Sequence, residues 1–136
     1  MRPRGVLLLV LLSLLACGGR RGPSPAIADR DWELVALGQD TNTRGAGGRP
    51  VTLRLDAVDE RASGFAGCNR YGAGYTLDGD RLTFGPAMST KMACAEGMQL
   101  ESAFLAILSA VTTYEVTGSI LVLRGASGPL ARLRTP

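Results

Sequence analysis

Apolar residues recur along this chain with two different periods, and the change of period divides it into elements. Trp32, Leu34 and Ala36 alternate with Glu33 and Val35, which predicts a first strand. Gly38 to Pro50 reads as a polar, Gly-rich loop. Val51, Leu53 and Leu55 then alternate with Thr52, Arg54 and Asp56, the pattern of a half-buried strand. Asp59-Glu60 marks a turn, and Ala62 to Ala66 pairs back. Tyr75–Leu77 and Leu82–Phe84 flank Asp78-Gly79-Asp80, a tight hairpin signal. Met88 to Met92 reads as a further short strand. Leu100, Phe104, Ile107, Leu108 and Val111 form one apolar stripe at helical spacing, predicting a helix from about Glu96 to Ala110. Its early Glu96 and Glu101 suit the positive end of the helix dipole. Thr113–Val116 and Ile120–Leu123 follow, joined at Gly118-Ser119, where glycine at the first central position suits a type II′ turn. Ser127-Gly128 turns again before a last strand, Leu130–Leu133. Seven to nine short strands and one helix make an α+β domain with mostly antiparallel pairing.

The first residues follow neither period. Arg2 and Arg4 precede an apolar run, Val6 to Leu15, broken only by Ser13. As a helix this run rises about 15 Å, roughly half the bilayer core, so it fits a signal sequence better than a membrane span. It ends in Leu14-Leu15-Ala16-Cys17, which resembles the lipobox of bacterial lipoproteins. That resemblance implies cleavage before Cys17 and a diacylglycerol thioether on its sulfur; the alternative is an ordinary secretory signal with an incidental cysteine. Gly18 to Pro25 is rich in Gly, Pro and Arg and reads as a flexible tether. Gly18 is not the aspartate that retains lipoproteins at the inner membrane, so the outer membrane is the expected address in a cell that has one. The expected organisation is a signal peptide at 1–16, a tether at 17–28 and a domain at 29–136.

With Cys17 assigned to lipid, Cys68 and Cys94 remain. An even number in an exported domain argues for a disulfide, worth about 3.5 kcal/mol on the chain-entropy model; two free buried thiols are the alternative. The formal charge is +3, but without Arg2 and Arg4 it is +1, and the other arginines are scattered, which excludes the footprint of a nucleic-acid binder.

Candidate chemistry is sparse. The chain has no histidine, so no Ser-His or Cys-His pair exists, and two cysteines do not complete a tetrahedral metal site. No cofactor is implied. Lys91 and Ser89 are best read as a surface pair on a strand edge. Asp56, Asp59, Glu60, Asp78 and Asp80 sit at predicted turns, where local turn chemistry accounts for them. Gly45-Ala46-Gly47-Gly48 lacks the Lys-Ser/Thr of a phosphate loop. Two segments stand out as binding candidates. In Gly67-Cys68-Asn69-Arg70-Tyr71, Asn69, Arg70 and Tyr71 are either a recognition loop or, by the favoured reading, structural, with Gly67 allowing close packing and Asn69 a left-handed turn. Met88 and Met92, with Met98, either fill the core, the favoured reading, or line an adaptable apolar groove.

Taken in order, Trp32-Glu33-Leu34, Gly64 to Tyr71, Gly74-Tyr75, Leu82-Thr83-Phe84, Ser89 to Cys94, Glu101 with Phe104 and Leu108, and Tyr114-Glu115-Val116 leading to Leu121-Val122-Leu123 resemble the META domain family, the HslJ-like envelope proteins. The resemblance implies a curved, mostly antiparallel sheet or cracked β-barrel packed by one α-helix. It does not imply an enzyme. Ala95 stands where a proline often follows the second cysteine. The expected function is a non-catalytic, lipid-anchored envelope protein that binds an envelope partner or lipid in stress tolerance. The alternative is an inhibitor of an exported hydrolase such as a lysozyme or protease.

Overall fold

A computed structural model describes residues 27–136. Cys17, the export segment and most of the tether lie outside the described residues. The elements are β1 (Asp31–Leu37), β2 (Thr52–Asp56), β3 (Arg61–Phe65), β4 (Arg70–Asp78), β5 (Arg81–Phe84), β6 (Met88–Ser89), α1 (Met98–Ala110), β7 (Thr113–Thr117), β8 (Ile120–Gly125) and β9 (Gly128–Arg134).

All pairings are antiparallel: β1 to β5 pair in sequence order, β5 pairs with β7, β7 to β9 pair in order, and β9 returns to β1. The sheet therefore closes on itself as an eight-stranded barrel, with β6 attached only to β4. β6 continues the line of β5 along β4 after a slip of register at Gly85–Ala87. The barrel is thus closed rather than cracked. Its narrowest seam is β5–β7, where only Arg81 and Thr113 are in register and two backbone hydrogen bonds, Leu82 N to Thr112 O and Tyr114 N to Asp80 O, complete the join.

A barrel of this strand number is just wide enough for side chains to fill. Trp32, Leu34, Leu53, Leu55, Leu82, Leu121, Leu123 and Leu133 do so, with Ala62, Ala73 and Ala131 where the space narrows. The simple alternation of β1 breaks at a bulge between Leu34 and Ala36. Ala36 is therefore set opposite the outward Arg132, and Leu37, opposite buried Ala131, packs against the core instead.

Because strand direction alternates, the β1–β2, β3–β4, β6–β7 and β8–β9 connections emerge at one end. The helix belongs to the third of these and lies across that mouth. It starts beside Gly67 of the β3–β4 turn and ends with the Ala110 carbonyl beside Gly125 of the β8–β9 turn. Phe104 and Leu108 are fully buried beneath it, Leu100 and Ile107 pack at the margin, and Val111 follows as the buried C-cap, as the stripe predicts. The opposite end is stopped by Ile27, only 1% exposed, whose carbonyl accepts from Trp32 Nε1 at 2.9 Å. Ile27 and Ala28, read from sequence as the end of the tether, pack into the domain.

The starts of β4 and α1 differ from expectation. β4 starts at Arg70, five residues before the expected strand, because Gly72 and Gly74 lower its local strand propensity while pairing with β3 and β6 overrides it. The helix starts at Met98 rather than Glu96, because Gly97 adopts φ 87° at the N-cap. The β7–β8 turn has positive φ at Gly118 (59°) but not at Ser119, in keeping with type II′.

All three tyrosines of the chain are buried, and each donates its hydroxyl to a backbone carbonyl: Tyr71 to Thr52 (2.9 Å), Tyr75 to Asp56 (2.9 Å) and Tyr114 to Gly79 (3.0 Å). Desolvation raises the pKa of all three above the ordinary phenol value, and Asp29, Asp56 and Glu60 add to this at Tyr75 and Asp80 at Tyr114. With the folded pKa raised, the unfolded chain ionises first, so stability is complete below about pH 10 and falls above it, by about 1.4 kcal/mol per pH unit for each tyrosine concerned. Urea unfolding between about pH 9 and about pH 11 should show this loss, with a shallower slope for Tyr71→Phe. A pH-independent midpoint contradicts the burial of the phenols.

Candidate functional site

The helical mouth of the barrel gathers most of the residues that stand out in the sequence. Its first feature is a crossing of three backbones that only glycine permits. Gly67 has φ 132°, and a Cβ there would lie 2.7 Å from the Gly97 carbonyl oxygen. Reciprocally, a Cβ at Gly97 or Gly45 would lie 2.1 or 1.9 Å from the Gly67 oxygen. That oxygen accepts the Ala46 N–H at 2.7 Å, tying the β1–β2 loop to the crossing.

Immediately after it, Cys68 and Cys94 are bonded, with Cα atoms 5.8 Å apart. Asn69, 3% exposed, uses every polar atom of its amide. Its Oδ1 accepts from Thr90 Oγ1 (3.0 Å) and from the Met92 N–H (2.9 Å), while Nδ2 donates to the Met92 carbonyl (3.2 Å) and to Glu101 Oε1 (3.0 Å). The other carboxylate oxygen of Glu101 accepts the backbone N–H groups of Cys68 (3.0 Å) and Asn69. One amide and one carboxylate thus join the β3–β4 turn, the segment after β6 and the first turn of α1.

Asn69 and Tyr71 are accordingly corrected as binding candidates: they face inward, not outward. Tyr71 lies on β4, 4% exposed, with its ring edge-on to Phe104 at 5.6 Å. Asn69 is not in a left-handed conformation; Gly67 carries the positive φ, and asparagine is needed for its amide. Arg70 begins β4 on the exposed face. Glu101 is the residue that sequence reading missed in this role. The signal for it was an acid in the first helical turn, but the dipole explains such an acid equally well.

The methionines reverse the favoured reading. Met88, Met92 and Met98 are 73%, 63% and 49% exposed and fill no part of the core. The expected strand there shrinks to Met88–Ser89, and Lys91 lies beyond it in exposed irregular backbone. Of the acidic turn residues, Asp56 serves its turn directly: its carboxylate accepts from Val58 N (2.9 Å) and Asp59 N (2.8 Å). Among the described residues no group of three or more His, Cys, Asp or Glu side chains is placed to hold a metal ion.

Two open grooves mark the surface. One, about 700 Å³, runs between the β1–β2 loop and the start of α1 and mixes Asp40, Arg44 and Glu96 with Leu37 and Leu100. The second, about 590 Å³, lies outside the β7–β8–β9 wall, where Arg124 and Glu115 approach to 3.6 Å. The β1–β2 loop is firmly held, by the Arg44–Pro50 bridge, Val51 N to Thr43 O (3.3 Å), Gly38 N to Leu130 O (2.8 Å) and Arg44 to the Gly48 carbonyl (2.9 Å).

Geometry of this kind defines a small closed barrel whose helical lid is fastened by a disulfide and a buried amide–carboxylate clamp. The family model described as "META domain" matches residues 25–136, and the chain belongs to that family. Among solved structures it is similar to an NMR structure of a protein from Burkholderia xenovorans, at 29% identity and TM-score 0.62, covering 81% of this chain and 83% of that one. A crystal structure of a duf4847 family protein from Bacteroides vulgatus shares the fold at 13% identity and TM-score 0.57, covering 84% and 96%. No curated protein matches the chain.

The crossing generates a test. Gly67→Ala places a methyl against backbone at an unfavourable φ and should cost about 2 kcal/mol or more in urea unfolding. Arg70→Ala, three residues on but exposed, should stay within about 0.5 kcal/mol. Equal effects would contradict the structural account of this segment.

Proposed function

We propose that the protein is a non-catalytic, lipid-anchored envelope protein, held through Cys17, that binds an envelope partner or lipid through the surface around Met88 and Met92 in stress tolerance. The observation that carries this reading is the contrast within one mouth of the barrel. The amide of Asn69 and the carboxylate of Glu101 there are consumed by structure, while two large thioether side chains are left in solvent, Met88 on β6 and Met92 on a backbone that Asn69 holds. Exposed methionines make adaptable apolar contacts. Inventory supports the absence of turnover: there is no histidine, Cys68 and Cys94 are bonded to each other, and Lys91 stands exposed to solvent. In a cell with two membranes the address is the periplasmic face of the outer one.

The firmly held β1–β2 loop favours a second reading, an inhibitor whose rigid loop enters the cleft of an exported lysozyme or protease. Inhibition assays with the lipid-free domain separate the two.

Mass spectrometry of the mature protein from a bacterial host should show Cys17 as the N-terminal residue carrying lipid, and Cys17→Ser should be released in soluble form. That soluble domain should co-sediment with phosphatidylglycerol vesicles or retain an envelope protein in a pull-down, with at least a fivefold loss in Met88→Ser/Met92→Ser. Unmodified Cys17 overturns the anchor; binding unchanged by the double substitution overturns the surface.

A further inference from the structure

The distribution of methionine in this chain is uneven. The sequence has four, and three of them fall between residues 88 and 98. None of these three belongs to the core, which among the described residues is built mainly from Leu, Val, Ile, Ala and aromatic residues. Unbranched methionine is well suited to filling irregular interiors, so its confinement to one exposed segment needs another reason.

We infer that Met88 and Met92 form a reversible oxidation site. In the step, a thioether lone pair attacks one oxygen of hydrogen peroxide. The S–O bond forms, the O–O bond breaks, and the departing oxygen leaves as water with both peroxide protons. Sulfur is oxidised by two electrons to the sulfoxide and the peroxide is reduced. Methionine sulfoxide reductases, using thiol reductant, reverse it, one enzyme for each epimer.

Three features fit these positions to that chemistry. The first is access, with Met88 and Met92 at 73% and 63% exposure against 49% for Met98. The second is that oxidation leaves the fold alone. Met92 is held through its backbone N–H and carbonyl by Asn69, so its side chain can change polarity without loosening the clamp. Met88 stands opposite Gly72 on β4, which brings no side chain of its own; the side-chain group nearest that position is the Arg61 guanidinium, 3.3 Å from where a Cβ at Gly72 would lie. The third is that among the described residues no free thiol competes, since Cys68 and Cys94 are already a disulfide. Resting on the surface reading above, the consequence is a switch: sulfoxides convert an apolar docking surface into a polar one.

The test treats the soluble Cys17→Ser domain with hydrogen peroxide and follows its peptides by mass spectrometry. Met88 and Met92 should each gain about 16 Da, within threefold of the rate of free methionine and faster than Met98, with an unchanged thermal midpoint. The two reductases together should restore the original mass. Oxidation tenfold slower than free methionine, or a fall in the midpoint that Met88→Leu/Met92→Leu prevents, overturns the proposal. Vesicle sedimentation and envelope pull-down after oxidation separate the two readings. Loss of binding that the leucine variant resists supports the switch; sulfoxides that form while binding persists overturn the docking surface and leave the oxidation site standing.

Discussion

Asn69 places a primary amide where no water reaches it, and an amide buried without partners costs several kcal/mol. Meeting that requirement organises the helical end of the molecule. The amide must be presented with two donors, a carbonyl and a carboxylate, and these come from Thr90, Met92 and Glu101. The carboxylate in turn needs donors, which the Cys68 and Asn69 N–H groups supply. The β3–β4 turn is thereby fixed to two segments more than twenty residues later in the chain, and the disulfide joins it to one of them. The glycine crossing is what lets them approach, since a methyl at Gly45, Gly67 or Gly97 would overlap backbone atoms.

The lid then completes what the barrel begins. A closed sheet removes the free edges that an open one presents, and here only the two-residue β6 lies outside the ring. Side chains fill the interior, so the chemistry available to partners is on the outside, in grooves of mixed charge and on the methionine-bearing segment beyond β6. Irregular backbone from Thr90 to Gly97 would ordinarily be the loosest part of such a domain, yet its path is set by the Asn69 amide and by Cys94.

Sequence periodicity captures the strands whose two faces differ most, as with Leu53 and Leu55 on β2 or Leu121 and Leu123 on β8, and the helix whose stripe is buried. It misses the first half of β4, where Gly72 and Gly74 hide the alternation and pairing with β3 and β6 sets the strand, and the bulge that replaces Ala36 by Leu37 on the inner face, which is set by pairing with the distant β9. Closure of the barrel depends on the long-range pairings β9–β1 and β5–β7, which no local pattern encodes. At the mouth, the even cysteine count makes the disulfide legible. Burial of Asn69 and Tyr71 and exposure of Met88 and Met92 run against the tendencies of those residue types, so only the fold could assign them.

The account rests on Asn69 and Glu101 acting as one unit, and a double-mutant cycle on the soluble domain measures that directly. Asn69→Ala and Glu101→Ala should each lower the free energy of urea unfolding by about 2 to 4 kcal/mol, because each leaves buried partners unsatisfied. The double variant should lose clearly less than the two together, with a coupling of about 1 to 3 kcal/mol. Losses that add to within about 0.5 kcal/mol would mean that the two residues act independently, and would contradict the clamp as the constraint on which this end of the barrel depends.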